Sequence, residues 1–401
     1  MTDTSTVDGR FGRRFLSTAA LFFLLGFQYS TWAARLPAIA GRLGLGSAEV
    51  GLLLLACGVG AVVSYPLVTL LMARLGSRDL SCLAALVLGF VLVALPVVAD
   101  YPAAVATLFV DGVAVACLNV AMNAQGAALE DRYGRPVMAR LHASFSGGSL
   151  VAALVAAGVA ALTPSVSGHF WLALAVVLVL VACARPGLLA ENQAPVKKER
   201  GRRRAPSAMT LLLGCAMVFG TVTEGAMNDW SALYLRNSVH ASVAVEPMGI
   251  AVVSVMMVLA RLFADGWRSR WGDGRVVLVG TALAALGLAV GVLLGGVLPA
   301  LVGFACVGLG VAAVTPCVYV AAARQGPDAL TFVAGMGTVG LLAGPPAIGL
   351  LAAATTLAVG LLAVAVSAFV VFLCATRITW TPQASVKQTS LVLDDTTPNV
   401  S

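Results

Sequence analysis

The chain has 401 residues, 60% of them hydrophobic and only 11% charged, and its mean hydropathy is +0.96. Ordinary soluble domains are about 25% charged, so a soluble globule, which would leave large apolar patches in water, is excluded. The net charge of +7 is spread over alternate hydrophilic segments, which excludes a concentrated basic footprint for nucleic acid.

Lipid is the solvent that fits. A hydrocarbon core of about 30 Å asks for roughly 20 apolar residues per helical span. Apolar runs lie near 15–35, 48–73, 80–99, 103–128, 137–162, 168–184, 209–235, 247–264, 276–296, 299–323, 331–353 and 356–376. They predict an all-α integral membrane protein with twelve transmembrane helices in two six-helix bundles. The first ten residues are polar and the first run is long enough to stay as a span, so no cleavable signal peptide is expected. With the N-terminus inside and every run crossing, all 25 Lys and Arg fall on the inner side except Arg35, Arg42 and Arg236. The positive-inside rule asks for this sorting, and it places both termini in the cytoplasm.

In chain order, the first run carries Gln28, Trp32 and Arg35 at i, i+4 and i+7, on one helical face. Trp32 there stacks on a ring or sugar face while Gln28 hydrogen-bonds; the alternative is an interfacial aromatic with a terminal anchor. The fourth run holds Asp111 near mid-depth, then Asn119 and Asn123 at i, i+4. Two amides and an acid exceed what packing needs. His142 opens the fifth run and reads as a proton relay or as an anchor bonding Ser146. Asp131, Arg132, Arg135 and Arg140 read as cytoplasmic loop charges, and His169 and His240 as outer-loop residues.

A polar stretch, RPGLLAENQAPVKKERGRRRAPS, divides the chain and reads as a flexible linker. Its basic block serves as a topology anchor or touches anionic headgroups. The expected organisation is an N-terminal bundle over 1–184, a cytoplasmic linker over 185–208, a C-terminal bundle over 209–381 and a disordered tail over 382–401.

The seventh run contains VFGTVTEGAMNDWSALYL, Val218–Leu235, with two acids in an apolar setting. Counted from Met209, Glu224 lies roughly 22 Å and Asp229 roughly 30 Å along the helix. Asp229 is therefore expected at the outer surface, with Trp230 and Tyr234 as an aromatic belt, and Glu224 is expected to be the buried acid. An ionised acid at mid-bilayer costs on the order of 2.5–3.5 kcal/mol. Glu224 thus reads as a proton-binding or cation-pairing site, or as a static salt bridge, for instance with Arg35. Asn228 and Ser231 extend its polar stripe.

Late in the chain, Thr315 and Tyr319 stand an offset of 196 from Asn119 and Asn123, and Pro316 between them frees a carbonyl. The same offset relates Gly112 to Gly308, Gln28 to Glu224 and Arg74-Leu75-Gly76 to Arg270-Trp271-Gly272. It suggests a parallel six-plus-six repeat. Gly335, Gly337, Gly340, Gly344 and Pro345-Pro346 make the eleventh run pliable or mark a packed kink. The eight cysteines all fall in apolar runs, form no C-x-x-C pair, and read as packing residues rather than metal ligands.

Six plus six spans, a basic central linker and short loops after spans 2 and 8 resemble the major facilitator superfamily. Its loop motif, roughly G-x-x-x-D-R-x-G-R-R, is similar to TLLMARLGSR (Thr69–Arg78) and DGWRSRWGDGR (Asp265–Arg275). Both copies keep Arg-x-Gly, and both replace the acid, with Ala73 and Ser269; Asp265 lies one turn earlier. The segments STWAARLPAIAGRLGLGSAEVG, NVAMNAQGAALEDRYGRP, LHASFSGGSL, EGAMNDW and GPDALTFVAGMGTVGLLAGPPAIG resemble bacterial inner-membrane permeases related to the fucose–proton symporters. Relatives often carry an acid at the position of Asn119, for which Asp111 compensates.

The resemblance implies a secondary transporter working by alternating access in a bacterial inner membrane, with spans 1, 4, 7 and 10 lining its cavity. Glu224 and Asp111 are then the candidate proton-coupling residues. Gln28, Trp32, Asn119, Asn123, Asn228, Thr315 and Tyr319 are the candidate substrate contacts. Arg74, Gly76, Arg78, Asp265, Arg270, Gly272 and Arg275 form the gating loops. The expected partners are the bilayer, a small polar organic solute and protons, with no nucleic acid, and the expected state is a monomer. No phosphate-cradling loop occurs, and no cofactor, metal or enzymatic activity is expected. Proton-driven export of amphipathic drugs or metabolites is the alternative cargo reading, and a non-transporting membrane sensor is the alternative class.

Overall fold

The computed structural model describes residues 4–135, 137–163, 165–190 and 206–380, excepting the side chains of residues 4–8, 139, 265 and 327. The expected tail and most of the expected linker lie outside these residues. The helices of the first half are α1 (Thr4–Leu43), α2 (Ser47–Val63), α3 (Tyr65–Ala94), α4 (Tyr101–Tyr133), α5 (Met138–Leu162) and α6 (Val166–Ala184). Those of the second half are α7 (Ala208–Asn237), α8 (Met248–Trp271), α9 (Asp273–Leu294), α10 (Val297–Val311), α11 (Val314–Arg324), α12 (Pro327–Ala354) and α13 (Leu357–Arg377).

Local chemistry sets the boundaries. Asp100, Ser165, Ser207 and Thr356 each accept a backbone N–H at the start of α4, α6, α7 and α13, satisfying a donor the helix cannot. The run predicted over 48–73 is broken at Ser64, because Pro66 in the first turn of α3 supplies no N–H to a continuing helix. Farther on, α3 turns at Gly76, with φ 71° and ψ 171°. The equivalent Gly272 separates α8 from α9 with φ 82° and ψ 153°. Both need the positive φ that glycine tolerates. The tenth predicted run is likewise split, with α10 and α11 meeting at Ala312-Ala313. Pro345 and Pro346 sit inside an unbroken α12.

Within the first half α1 packs on α5 and α6, and α4 packs on α2 and α3; within the second, α7 packs on α12 and α13, and α10 packs on α8 and α9. The halves meet along α1–α7, α2–α12 and α5–α8. The repeat is visible as geometry. A Cβ on Gly112 in α4 would collide with the Cys57 carbonyl of α2, and one on Gly308 in α10 with the Val253 carbonyl of α8. Both members of each pair are shifted by the same 196 positions.

Nine helical segments among the described residues have the length and apolarity to cross a membrane, and Ser47–Val63 and Met248–Ala264 are shorter apolar helices. The expected twelve crossings require these two and α1 as well. Gly41, near the end of α1, abuts Arg236, near the end of α7. The two helices therefore finish at one end of the molecule, here termed distal, and start at the proximal end.

The expected linker departs from its reading at its first residues. Arg185–Gly187 forms a 3-10 turn, and Leu188 and Leu189 are buried. Gln125 clamps Leu189 with two bonds of 2.8 Å, donating to its carbonyl and accepting from its N–H, and also donates to Ser77 at 2.7 Å. This stretch is bound to α3 and α4 because a buried amide satisfies its backbone.

Candidate functional site

The seam between the halves is sealed unequally. From Ala226 to Leu235, every residue of α7 but Asn228 is buried, whereas partly exposed residues recur along α7 below Ala226. The distal stretch of α1 around Gln28, Trp32 and Arg35 is buried as well. Three polar groupings occupy the seam.

The first centres on Asp111 of α4, which is fully buried. Its carboxylate accepts from Gln28 Nε2 of α1 at 2.8 Å and from Cys57 Sγ of α2 at 3.7 Å. Gln28 is thus tied to α4, a pairing not anticipated from the sequence, and Cys57 is more than a packing residue.

The second is a direct bond between the halves, in which the Tyr29 hydroxyl of α1 donates to Asp229 of α7. This corrects the surface assignment of Asp229. The residue is 4% exposed, and Trp230 and Tyr234 are buried at 0% and 2%, not an aromatic belt. The depth count failed because α7 begins at Ala208 and runs to Asn237, so about 12 Å of helix continues past Asp229.

The third joins three helices. Arg261 of α8 bridges Glu224 of α7 at 3.2 Å and also donates to Ser146 of α5. Glu224 is therefore the more accessible acid, its side chain 29% exposed, and its partner is Arg261 rather than Arg35. Ser146 answers Arg261 and not His142, whose ring instead meets Phe22 edge-on at 5.1 Å. His169 is a further correction: it lies inside α6, fully buried, with neither ring nitrogen partnered.

Other predicted residues are placed but not gathered. Asn123 bonds Asn119 within α4, at 2.7 Å to its side-chain oxygen. Asn228 reaches only the Glu224 carbonyl, at 3.5 Å. Thr315 and Tyr319 are half-buried on α11. Pro316 lies in the first turn of α11, so the break falls before it. In the gating loops Arg74, Arg270 and Arg275 are exposed. The acid missing from the second motif is supplied from beyond the glycine, where Asp273 pairs with Arg268 at 2.8 Å. The Asp265 side chain lies outside the described residues.

At the distal end Glu246, between α7 and α8, is buried and 3.9 Å from Arg236. Burial pushes its carboxyl above the ordinary value, against the opposing pull of Arg236 and Arg35. Tyr29, Cys57 and Glu246 were missed by sequence reasoning, as was the pairing of Arg261 with Glu224 and Ser146. A usable signal existed for Arg261 alone: a cation within an apolar run.

Two helix bundles closed on a polar seam, in a chain built for lipid, define a multi-pass membrane transporter. The chain belongs to the major facilitator superfamily, whose family model matches residues 18–331. It is 33% identical to an uncharacterized MFS-type transporter of Yersinia pestis, over 86% of this chain and 90% of that one. It is 31% identical to an uncharacterized transporter of Sinorhizobium fredii, over 84% and 91%, and 28% identical to membrane protein MosC of Rhizobium meliloti, over 88% and 87%. The crystal structure of the nucleoside transporter NupG shares the fold with a TM-score of 0.69 at 14% identity, covering 91% of this chain and 98% of that one.

Proposed function

We propose that the chain is a proton-coupled secondary transporter of a small polar organic solute, monomeric in a bacterial inner membrane, with both termini cytoplasmic. It crosses twelve times, as bundles over 1–184 and 209–381 joined by a linker over 185–208 and followed by a tail over 382–401. The solute meets Gln28, Trp32, Asn119, Asn123, Asn228, Thr315 and Tyr319 between the halves. The loops with Arg74, Gly76, Arg78, Asp265, Arg270, Gly272 and Arg275 gate the proximal side. The likeness to NupG lends the fold and leaves the cargo open.

One observation carries this reading: two polar contacts between the halves, Tyr29–Asp229 and Arg261–Ser146, involve ionisable groups. A contact between bundles that depends on charge can be made and broken by a proton, and rocking of the halves requires such contacts. Glu224 carries the coupling proton. When it is neutral it releases Arg261, and Arg261 then releases Ser146. Asp111 is the second carboxylate on the path, ionised or protonated according to what occupies the seam.

Proteoliposomes with an imposed proton gradient test this. Accumulation of a solute that follows the gradient, with Glu224→Gln retaining exchange but losing gradient-driven accumulation, is the expected result. Gradient-driven accumulation unchanged in Glu224→Gln removes the coupling role. No flux across a broad solute panel favours a sensor.

A further inference from the structure

Acceptor groups stand unmatched at the centre of the seam. The fully buried Asp111 carboxylate receives only the Gln28 amide at 2.8 Å and the Cys57 thiol at 3.7 Å. Asp229, 4% exposed, receives only the Tyr29 hydroxyl. No cationic side chain acts on either carboxylate among the described residues. Tyr29 and Cys57 each lie within electrostatic range of both acids, whereas neither acid acts on the other, so Asp111 and Gln28 form a site of their own.

A second observation is independent of the acids. Gln28 Oε1 and Trp32 Nε1 are buried without a hydrogen-bond partner, on side chains that are 0% exposed. The Gln28 oxygen belongs to the amide whose nitrogen touches Asp111, and so it is at the same spot. The Trp32 ring packs edge-on to Tyr29, with centroids 5.1 Å apart.

Buried charges without counter-charges are costly, and buried polar atoms are normally paired. A buried acid repels an anion, and a neutral hydroxyl leaves its charge unanswered. The cluster lacks N–H donors bearing positive charge, and it offers aromatic rings, which attract cations. We infer that the Gln28–Asp111 pair recognises the ammonium group of a small protonated organic amine. The ammonium donates to Asp111 and to Gln28 Oε1, and Trp32 Nε1 takes an oxygen of the same solute. This inference rests on the transport reading above and names the charge of its solute.

The test is thermal unfolding of the purified full-length chain in detergent. Ethanolamine and glucosamine are compared with ethylene glycol and glucose, at matched ionic strength, with sodium exchanged for potassium as a separate arm. At saturation the amines raise the melting temperature by about 2 °C or more. The neutral counterparts and sodium do not, and Asp111→Asn abolishes the shift. The wild-type comparison stands even where a variant fails to fold. Equal shifts from amines and neutral solutes, no shift from either amine, a shift from sodium alone, or a shift kept in Asp111→Asn overturns the inference. Gradient-driven flux of a neutral solute without any amine effect defeats the amine assignment while transport stands. An amine shift with no flux of any solute does the reverse.

Discussion

At the scale of single residues, the Tyr29–Asp229 bond is the most exposed point of the account. It joins the halves where the seam is sealed, and hydrogen bonds to charged groups contribute roughly 1.5–3 kcal/mol. Tyr29→Phe is therefore expected to move the seam equilibrium toward a distal opening by ~10- to 100-fold. Faster reaction of a Ser231→Cys probe with an impermeant maleimide measures this, and an unchanged rate contradicts it. The pair Glu224–Arg261 gives a second prediction. Arg261→Gln leaves Glu224 without its cation, so the double variant Glu224→Gln/Arg261→Gln is expected to unfold at a higher temperature than Arg261→Gln alone. Sequence reasoning found Glu224, Asp111 and Gln28 because polar groups in an apolar run are conspicuous. It misjudged which of Glu224 and Asp229 is buried, because depth along one helix says nothing about what the opposite half lays over it.

Among elements, the close helix crossings carry the clearest expectations. Gly112→Ala drives a methyl into the Cys57 carbonyl, and overpacking costs typically 1–3 kcal/mol. Its melting temperature is expected to fall, while Gly147→Ala, with nothing near the added atom, leaves it unchanged. Equal behaviour of the two variants contradicts the α2–α4 packing. The connection between α7 and α8 gives a pH dependence. The Glu246 carboxyl is raised in the folded chain from 4.5. Its contribution to stability is thus complete below about that value and is lost as pH rises through the raised one. Glu246→Gln is expected to flatten this part of the pH–melting profile. The glycine repeat at 112 and 308 was legible as an offset, since spacing survives in the chain. The breaks at Ser64 and Ala312 were not, because an apolar run looks continuous whether or not its helix bends.

For the whole molecule, composition alone dictated a lipid environment, and the alternation of apolar runs with charged loops anticipated the order of helices. The inequality of the two ends was not legible, since it depends on which surfaces of α1, α7, α2 and α12 meet across the seam. Alternating access is the central claim, and it requires the two ends to move reciprocally. Spin labels across the halves, at Gly46 and Ser242 for the distal end and at Arg74 and Arg270 for the proximal end, read both distances in reconstituted protein. On acidification, or on addition of a transported solute, the account predicts that distal and proximal distances change in opposite directions. Distances that change together at both ends, or at neither, contradict it.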